Sequence, residues 1–282
     1  SRPWLHALAA ASAVLFAGTP PDCVEGQSWR TVTMSRQVSG ETELDVRIRF
    51  GVGRLLIEPG DPGSLYRMHL RYDEDSFEPV ARYEGNKLEL GVDGTKHNVR
   101  WRKKDAQEME ISLTREVPMS LDLDFGAVRA DVDLGGLQMT ALNLNTGASE
   151  SRIDISQPNP IRMSVANLAV GAADFHVRNL GNLNSEMITV DAGVGSVELD
   201  FRGQWQGDAS VSVDMGLGAL ELRFPEGLGV KLMKDTFLTS LDPEGLVKRG
   251  DAYYSVDWEE TEYRVTVTVD AAFGSIDVVW VR

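Results

Sequence analysis

The chain of 282 residues contains one cysteine, Cys23, so it forms no internal disulfide and offers no multi-cysteine zinc or redox motif. Histidine is almost as scarce: among His6, His69, His97 and His176, the two strand histidines His69 and His176 have no second ligand at metal spacing. Positive charge is thin, with 28 lysines and arginines against 43 aspartates and glutamates for a net charge of −15. A phosphate backbone needs a basic stripe, so nucleic acid is excluded as a partner. No G-x-S-x-G elbow and no C-x-x-C-H run occurs, and the chain reads as a non-enzyme without a cofactor. After residue 30 no window of a dozen residues keeps a helical stripe.

Hydrophobic runs are short as well, with one exception. "SRPWLHALAAASAVLFAG" has a positive start and an apolar stretch, and "TPPD" follows it, which is the layout of a secretory signal. From Trp4 to Gly18 it would span about 22 Å as a helix, short of the roughly 30 Å hydrocarbon core. Its cleavage chemistry is poor: only Val24-Glu25-Gly26 suits a signal peptidase, and Cys23 behind Pro20, Pro21 and Asp22 departs from a lipoprotein signal. Ser1 fits removal of an initiator methionine before a small residue. The expectation is a retained short hydrophobic helix, residues 1–26, with Trp4, Leu8, Val14, Leu15 and Phe16 as membrane anchor and an extracytoplasmic domain held at the inner membrane. Packed against helices of other subunits, such a segment would make the protein part of a membrane complex.

What the rest of the chain does have is period two. "TELDVRIRF", "MEISLT", "SLDLDF" and "YRVTVTV" alternate apolar with polar residues and predict half-buried strands. A glycine followed by alanine or serine recurs at Gly126, Gly147, Gly171, Gly195, Gly218 and Gly274, the first five 21, 24, 24 and 23 residues apart. That step suits one coil of a β-solenoid, or two strands of a meander. The predicted fold is therefore all-β, a stacked β-sheet repeat domain, solenoid-like or a two-sheet sandwich. It occupies residues 27–282, with regular repeats over about 116–226 and end-covering segments at 27–115 and 227–282. "FGVGRLLIEPG" at 50–60, with Arg54 in the small-residue position, and "FGSIDVVWV" at 273–281 are outlying copies.

The repeated glycine-x-glycine-small pattern leading into an alternating strand, together with "LRFPEGLGVKL" at 222–232, resembles the bacterial envelope toastrack domain of adhesin-type proteins and of cell-wall-stress proteins related to LiaF. The resemblance covers roughly residues 42–282. It implies a stacked β fold, an envelope location and a binding or structural role, with no catalytic residue to carry over. The single short leader and Arg54 depart from the family's pattern.

Three features carry candidate chemistry. Asp122, Asp124, Asp131, Asp133, Asp154, Asp174, Asp191, Asp200 and Asp214 recur at related steps, which suits either calcium or the wet face of alternating strands. "KHNVRWRKK" sets Lys96, Arg100, Arg102, Lys103 and Lys104 around Trp101, a composition for anionic headgroups or an acidic partner, or for a solvated hairpin. Trp205 in "GQWQGD" is an interface anchor, a platform for stacking on a sugar ring or a ring folded onto its own sheet. Three functions follow. One is a structural subunit of a membrane complex, for instance photosynthetic or respiratory, contacting other subunits and the membrane surface. The others are an envelope-stress or adhesin-like binding module and a glycan-active enzyme.

Overall fold

The computed structural model describes residues 28–94 and 107–282. The leader with Trp4, Leu8, Val14, Leu15 and Phe16, and the basic run with Lys96, Arg100, Trp101, Arg102, Lys103 and Lys104, lie outside the described residues. Within them the domain is all-β, with one 3-10 turn at Leu180–Leu183 and no helix long and apolar enough to cross a membrane.

Eight long strands carry the fold: β2 (Leu44–Pro59), β7 (Met119–Asp133), β8 (Met139–Asp154), β9 (Met163–Arg178), β10 (Ser185–Asp200), β11 (Ala209–Pro225), β12 (Gly229–Asp242) and β15 (Arg264–Val281). They stack in parallel in the order β2-β7-β8-β9-β10-β11-β15-β12. Straight, the 15 residues of β7 would run about 50 Å. Yet residues 134–138, which reach about 20 Å at most, return the chain to Met139, the in-register neighbour of Met119. The two ends of each long strand must therefore lie side by side, and the strand folds back at its middle.

The inward-facing residues show the fold-back directly. In β7, Met119, Leu121, Leu123 and Phe125 are buried before the glycine, and Val128, Ala130 and Val132 after it. In β11 the sets are Ala209, Val211, Val213 and Met215, then Leu220, Leu222 and Phe224. Alternation slips by one residue at the bend, which a straight strand cannot do without turning its apolar set to water. Each strand is thus one coil of a flattened solenoid, its two halves forming opposite walls with the core between them. The solenoid and sandwich expectations merge, because the two walls are halves of the same strands.

Both ends are capped by antiparallel pieces. At one end β5 (Lys87–Gly94) pairs with the first half of β2 and β6 (Glu108–Leu113) with its second half, completing one more coil interrupted at the bend. Then β4 (Phe77–Glu84) lies antiparallel on β5, β3 (Ser64–Asp73) on β6, and β1 (Trp29–Gln37) on β3 at the rim. At the other end the final strand does not stack last: β15 inserts between β11 and β12, and β14 (Ala252–Ser255) with β13 (Leu246–Arg249) forms a hairpin on β12. The reason is burial. β15 presents Val265, Val267, Val269, Ala271, Ile276 and Val278 inward and needs neighbours on both sides, whereas β12 beyond its bend offers the core only the partly buried Leu241.

On the edge opposite the bends, buried asparagines join successive turns. Asn159, fully buried, donates from Nδ2 to the carbonyls of Met139 (2.9 Å) and Leu183 (3.3 Å), and its Oδ1 accepts from the Met139 amide (3.1 Å). Asn182 donates to the Ile155 carbonyl and Asn184 to that of Asn159. An aromatic column runs beside them: Phe201 and Phe224 have ring centroids 4.7 Å apart, Phe224 and Trp280 5.8 Å. Trp205 extends it, stacked on Phe201 and donating its indole N–H to the Phe201 carbonyl. The Trp205 ring thus lies folded onto its own sheet, partly buried against the core.

Truncating Asn159 strands two backbone carbonyls and an amide in the core. Asn159→Ala is expected to cost about 2–4 kcal/mol, read as a lowered thermal midpoint, whereas the same change at exposed Asn86 leaves the midpoint within error.

Candidate functional site

The bends are built from two glycine columns. In the first, Gly126, Gly147, Gly171, Gly193 and Gly216 each lie against the bend of the coil before: a Cβ at Gly193 would come within 2.6 Å of the Gly171 carbonyl oxygen, and one at Gly216 within 2.5 Å of that of Gly193. In the second, Gly195, Gly218 and Gly274 stand in register. Gly218 has φ +151°, and a Cβ there would meet the Gly195 oxygen at 1.8 Å. The six glycines singled out from the sequence therefore divide, Gly126, Gly147 and Gly171 to the first column and Gly195, Gly218 and Gly274 to the second.

Val52, Val194 and Leu217 stand between two glycines, and they and their neighbours in register lie at the apex of the bend, outside the core. Along the edge this row reads Val52, Ala127, Ala148 and Ala172, then Val194, Leu217, Phe273 and Leu238, with neighbours in register. The last four are 52%, 50%, 46% and 62% exposed, a contiguous apolar ridge over four coils. Large apolar side chains exposed singly are ordinary, but an aligned series is the mark of a contact surface.

Three residues before each ridge position stands an aspartate. Asp191, Asp214, Asp270 and Asp235 are exposed and aligned across the same four coils. None of the four forms an ion pair among the described residues. Like charges in register repel, so the row is a standing cost to the free domain. Between rail and ridge runs an open groove of about 410 Å³, lined by Asp191, Gly193, Asp214, Gly216, Asp270 and Ala272. It continues toward β7 as a second groove of about 460 Å³, sharing Asp191 and lined by Gly147 and Gly171. Glycines of the first column line both.

The other acids of the sequence series behave differently. Asp122 pairs with Arg47 at 2.9 Å, Asp131 with Arg152, Asp174 with His176, and buried Asp200 with Arg202 at 2.5 Å. Asp133 accepts from Ser156 and Gly135, and Asp154 from Asn179. Asp124 lies in the rail's own row but is separated from Asp191 by Asn145 and Ala169. On that outer wall Arg129 and Arg152 both donate to Glu150 and hold its carboxyl below the usual range, while Asp200 raises the Arg202 guanidinium further. A row of carboxylates does not converge on a point, and no cluster of His, Cys, Asp or Glu able to hold a metal occurs among the described residues.

His176 is held between Asp174 and Glu198, 3.0 Å from each, so both of its ring nitrogens face carboxylates. His69 bonds Thr33 through Nδ1. The apolar ridge escaped the sequence reading. Its signal was present in the middle residue of "GVG", "GLG" and "AFG", each apolar at a bend where water would be expected.

Fold and edge together define a parallel, glycine-bent β-solenoid domain. Residues 24–174 and 159–223 match the family described as the N-terminal domain of toast_rack, and the chain belongs to it. Among solved structures, a protein of Clostridium sporogenes provisionally named for cell adhesion is 18% identical, with TM-score 0.49 over 90% of this chain and 100% of its own. A provisionally named adhesin of Bacteroides fragilis is 14% identical, with TM-score 0.42 over 90% and 99%. A provisionally named lipid-binding protein of Parabacteroides distasonis is 10% identical, with TM-score 0.39 over 88% and 96%. No curated protein matches the chain significantly.

The glycine contacts predict a graded series. Gly218→Ala, with positive φ and 1.8 Å to a backbone oxygen, should cost upwards of about 3 kcal/mol, and Gly147→Ala, with 3.3 Å to the Gly126 oxygen, under about 1 kcal/mol. Urea unfolding of the two variants checks the order; equal costs would mean that the columns do not set the stacking distance.

Proposed function

We propose that the chain is a non-catalytic binding module of the bacterial envelope whose contact surface is the bend edge of its last four coils. The observation that carries this reading is the exposed, in-register ridge of Val194, Leu217, Phe273 and Leu238. Its burial by a partner would remove apolar surface from water at roughly 25 cal/mol per Å². Family membership supports an envelope binding role.

In the fuller form of the reading, the leader with Trp4, Leu8, Val14, Leu15 and Phe16 anchors the domain at the membrane, and the ridge docks it on a larger membrane complex, which it stabilises. The basic run around Trp101 is a second contact, toward anionic headgroups or an acidic subunit. What supports this form is the layout of the leader and the charge of the run in an otherwise acidic chain.

The test is purification of the full chain from native membranes beside Leu217→Ser/Phe273→Ser. Both side chains are about half exposed, so the variant should keep its thermal midpoint while losing stoichiometric partners. Identical co-purification by wild type and variant would remove the ridge from the function.

A further inference from the structure

The ridge and the rail together specify a kind of partner. Four apolar side chains one coil apart form one row, and four aspartates without an ion pair among the described residues, three residues earlier in the same coils, form a parallel row with a groove between them. Successive coils are about 4.8 Å apart, so each row is about 14 Å long and runs across the strands, along the stacking axis. An occupant must present apolar groups and positive charges in two parallel lines at close to that repeat. A helix lying along the axis advances about 5.4 Å per turn, within about 0.6 Å of the coil step. An extended strand repeats its side chains every 6.6 to 6.8 Å on one face, about 2 Å too long per coil, and falls out of step by the second coil.

We infer that this edge binds a cationic amphipathic helix of a partner protein, laid along the solenoid axis. Its apolar stripe rests on Val194, Leu217, Phe273 and Leu238, and lysines or arginines one turn apart reach over the groove to Asp191, Asp214, Asp270 and Asp235. The inference rests on the bend edge being the contact surface. Charge decides between occupants: an anionic lipid surface would bring like charge against the rail, and a second copy of this edge would set rail against rail or against ridge. A basic helix relieves the repulsion the free domain carries. The three to four turns of helix that cover four coils are a common length for groove-bound helices.

The test uses the full chain and a labelled 18-residue Leu/Lys amphipathic helical peptide, read by fluorescence anisotropy. Saturable binding is expected, weakening as salt rises, and at least tenfold weaker for the same peptide with Glu in place of Lys. Asp214→Asn/Asp270→Asn should weaken binding at least fivefold, and Leu217→Ser/Phe273→Ser at least tenfold, while Leu56→Ser, exposed on another face, leaves it unchanged. The inference is overturned if the Glu peptide binds as well as the Lys peptide, if the rail variant binds like wild type, or if phosphatidylglycerol vesicles capture wild type but not the ridge variant. A chain that ignores the peptide yet loses its native partners with the ridge variant contradicts the partner's chemistry and leaves the binding reading standing. A chain that does neither contradicts both.

Discussion

At most of the glycine bends the backbone of one coil rests on the carbonyl of its neighbour, at a distance that leaves little or no room for a side chain. A Cβ at Gly216 would lie 2.5 Å from the Gly193 oxygen and one at Gly274 1.7 Å from that of Gly218. Much else follows from that close approach. It lets a strand of 14 to 18 residues reverse within about three positions while keeping its neighbours at sheet spacing. Reversal gives two walls, each with its own alternation, and the core forms where the inward sets of both walls meet.

The same constraint shapes the surface. The residue at the apex of a bend lies outside the core, so whatever the sequence places there is displayed. In the first coils it displays Val52 and three alanines, in the last four Val194, Leu217, Phe273 and Leu238. Because the coils are in register, single choices repeat as rows, and a row of aspartates without an ion pair among the described residues, three residues away, follows from the same arithmetic. On the opposite wall equally frequent acids are neutralised by Arg129, Arg152, Arg202 and Arg223. The contrast between that wall and the rail is what singles out the edge as a place for a partner.

How much of this the sequence discloses depends on whether a feature is local. Period-two strands, the 21 to 24 residue step and the glycine pairs are local, and they are enough for an all-β repeat fold. The partition of glycines into two columns is not, because it depends on which coil's carbonyl each one faces. Nor is the insertion of β15 between β11 and β12, since neither strand shows its neighbour in its own sequence. The aspartates illustrate the limit: nine of them look alike along the chain, and three-dimensional register sorts them into partners of arginine or histidine, turn acceptors, members of the exposed rail and one, Asp124, that stands apart from it. Asn159, Asn182 and Asn184 were invisible for a related reason, because a buried asparagine is recognised only by the carbonyls stacked above and below it.

The central claim is that the bend edge of the last four coils is where this domain meets its partner. Amide hydrogen exchange of the full chain, compared between native membranes and the purified protein, addresses it directly. The account predicts added protection over residues 190–196, 213–219, 235–240 and 270–275 in the membranes. Protection confined to β1 or to the outer wall around Glu150, with the bends exchanging alike in both states, would contradict it.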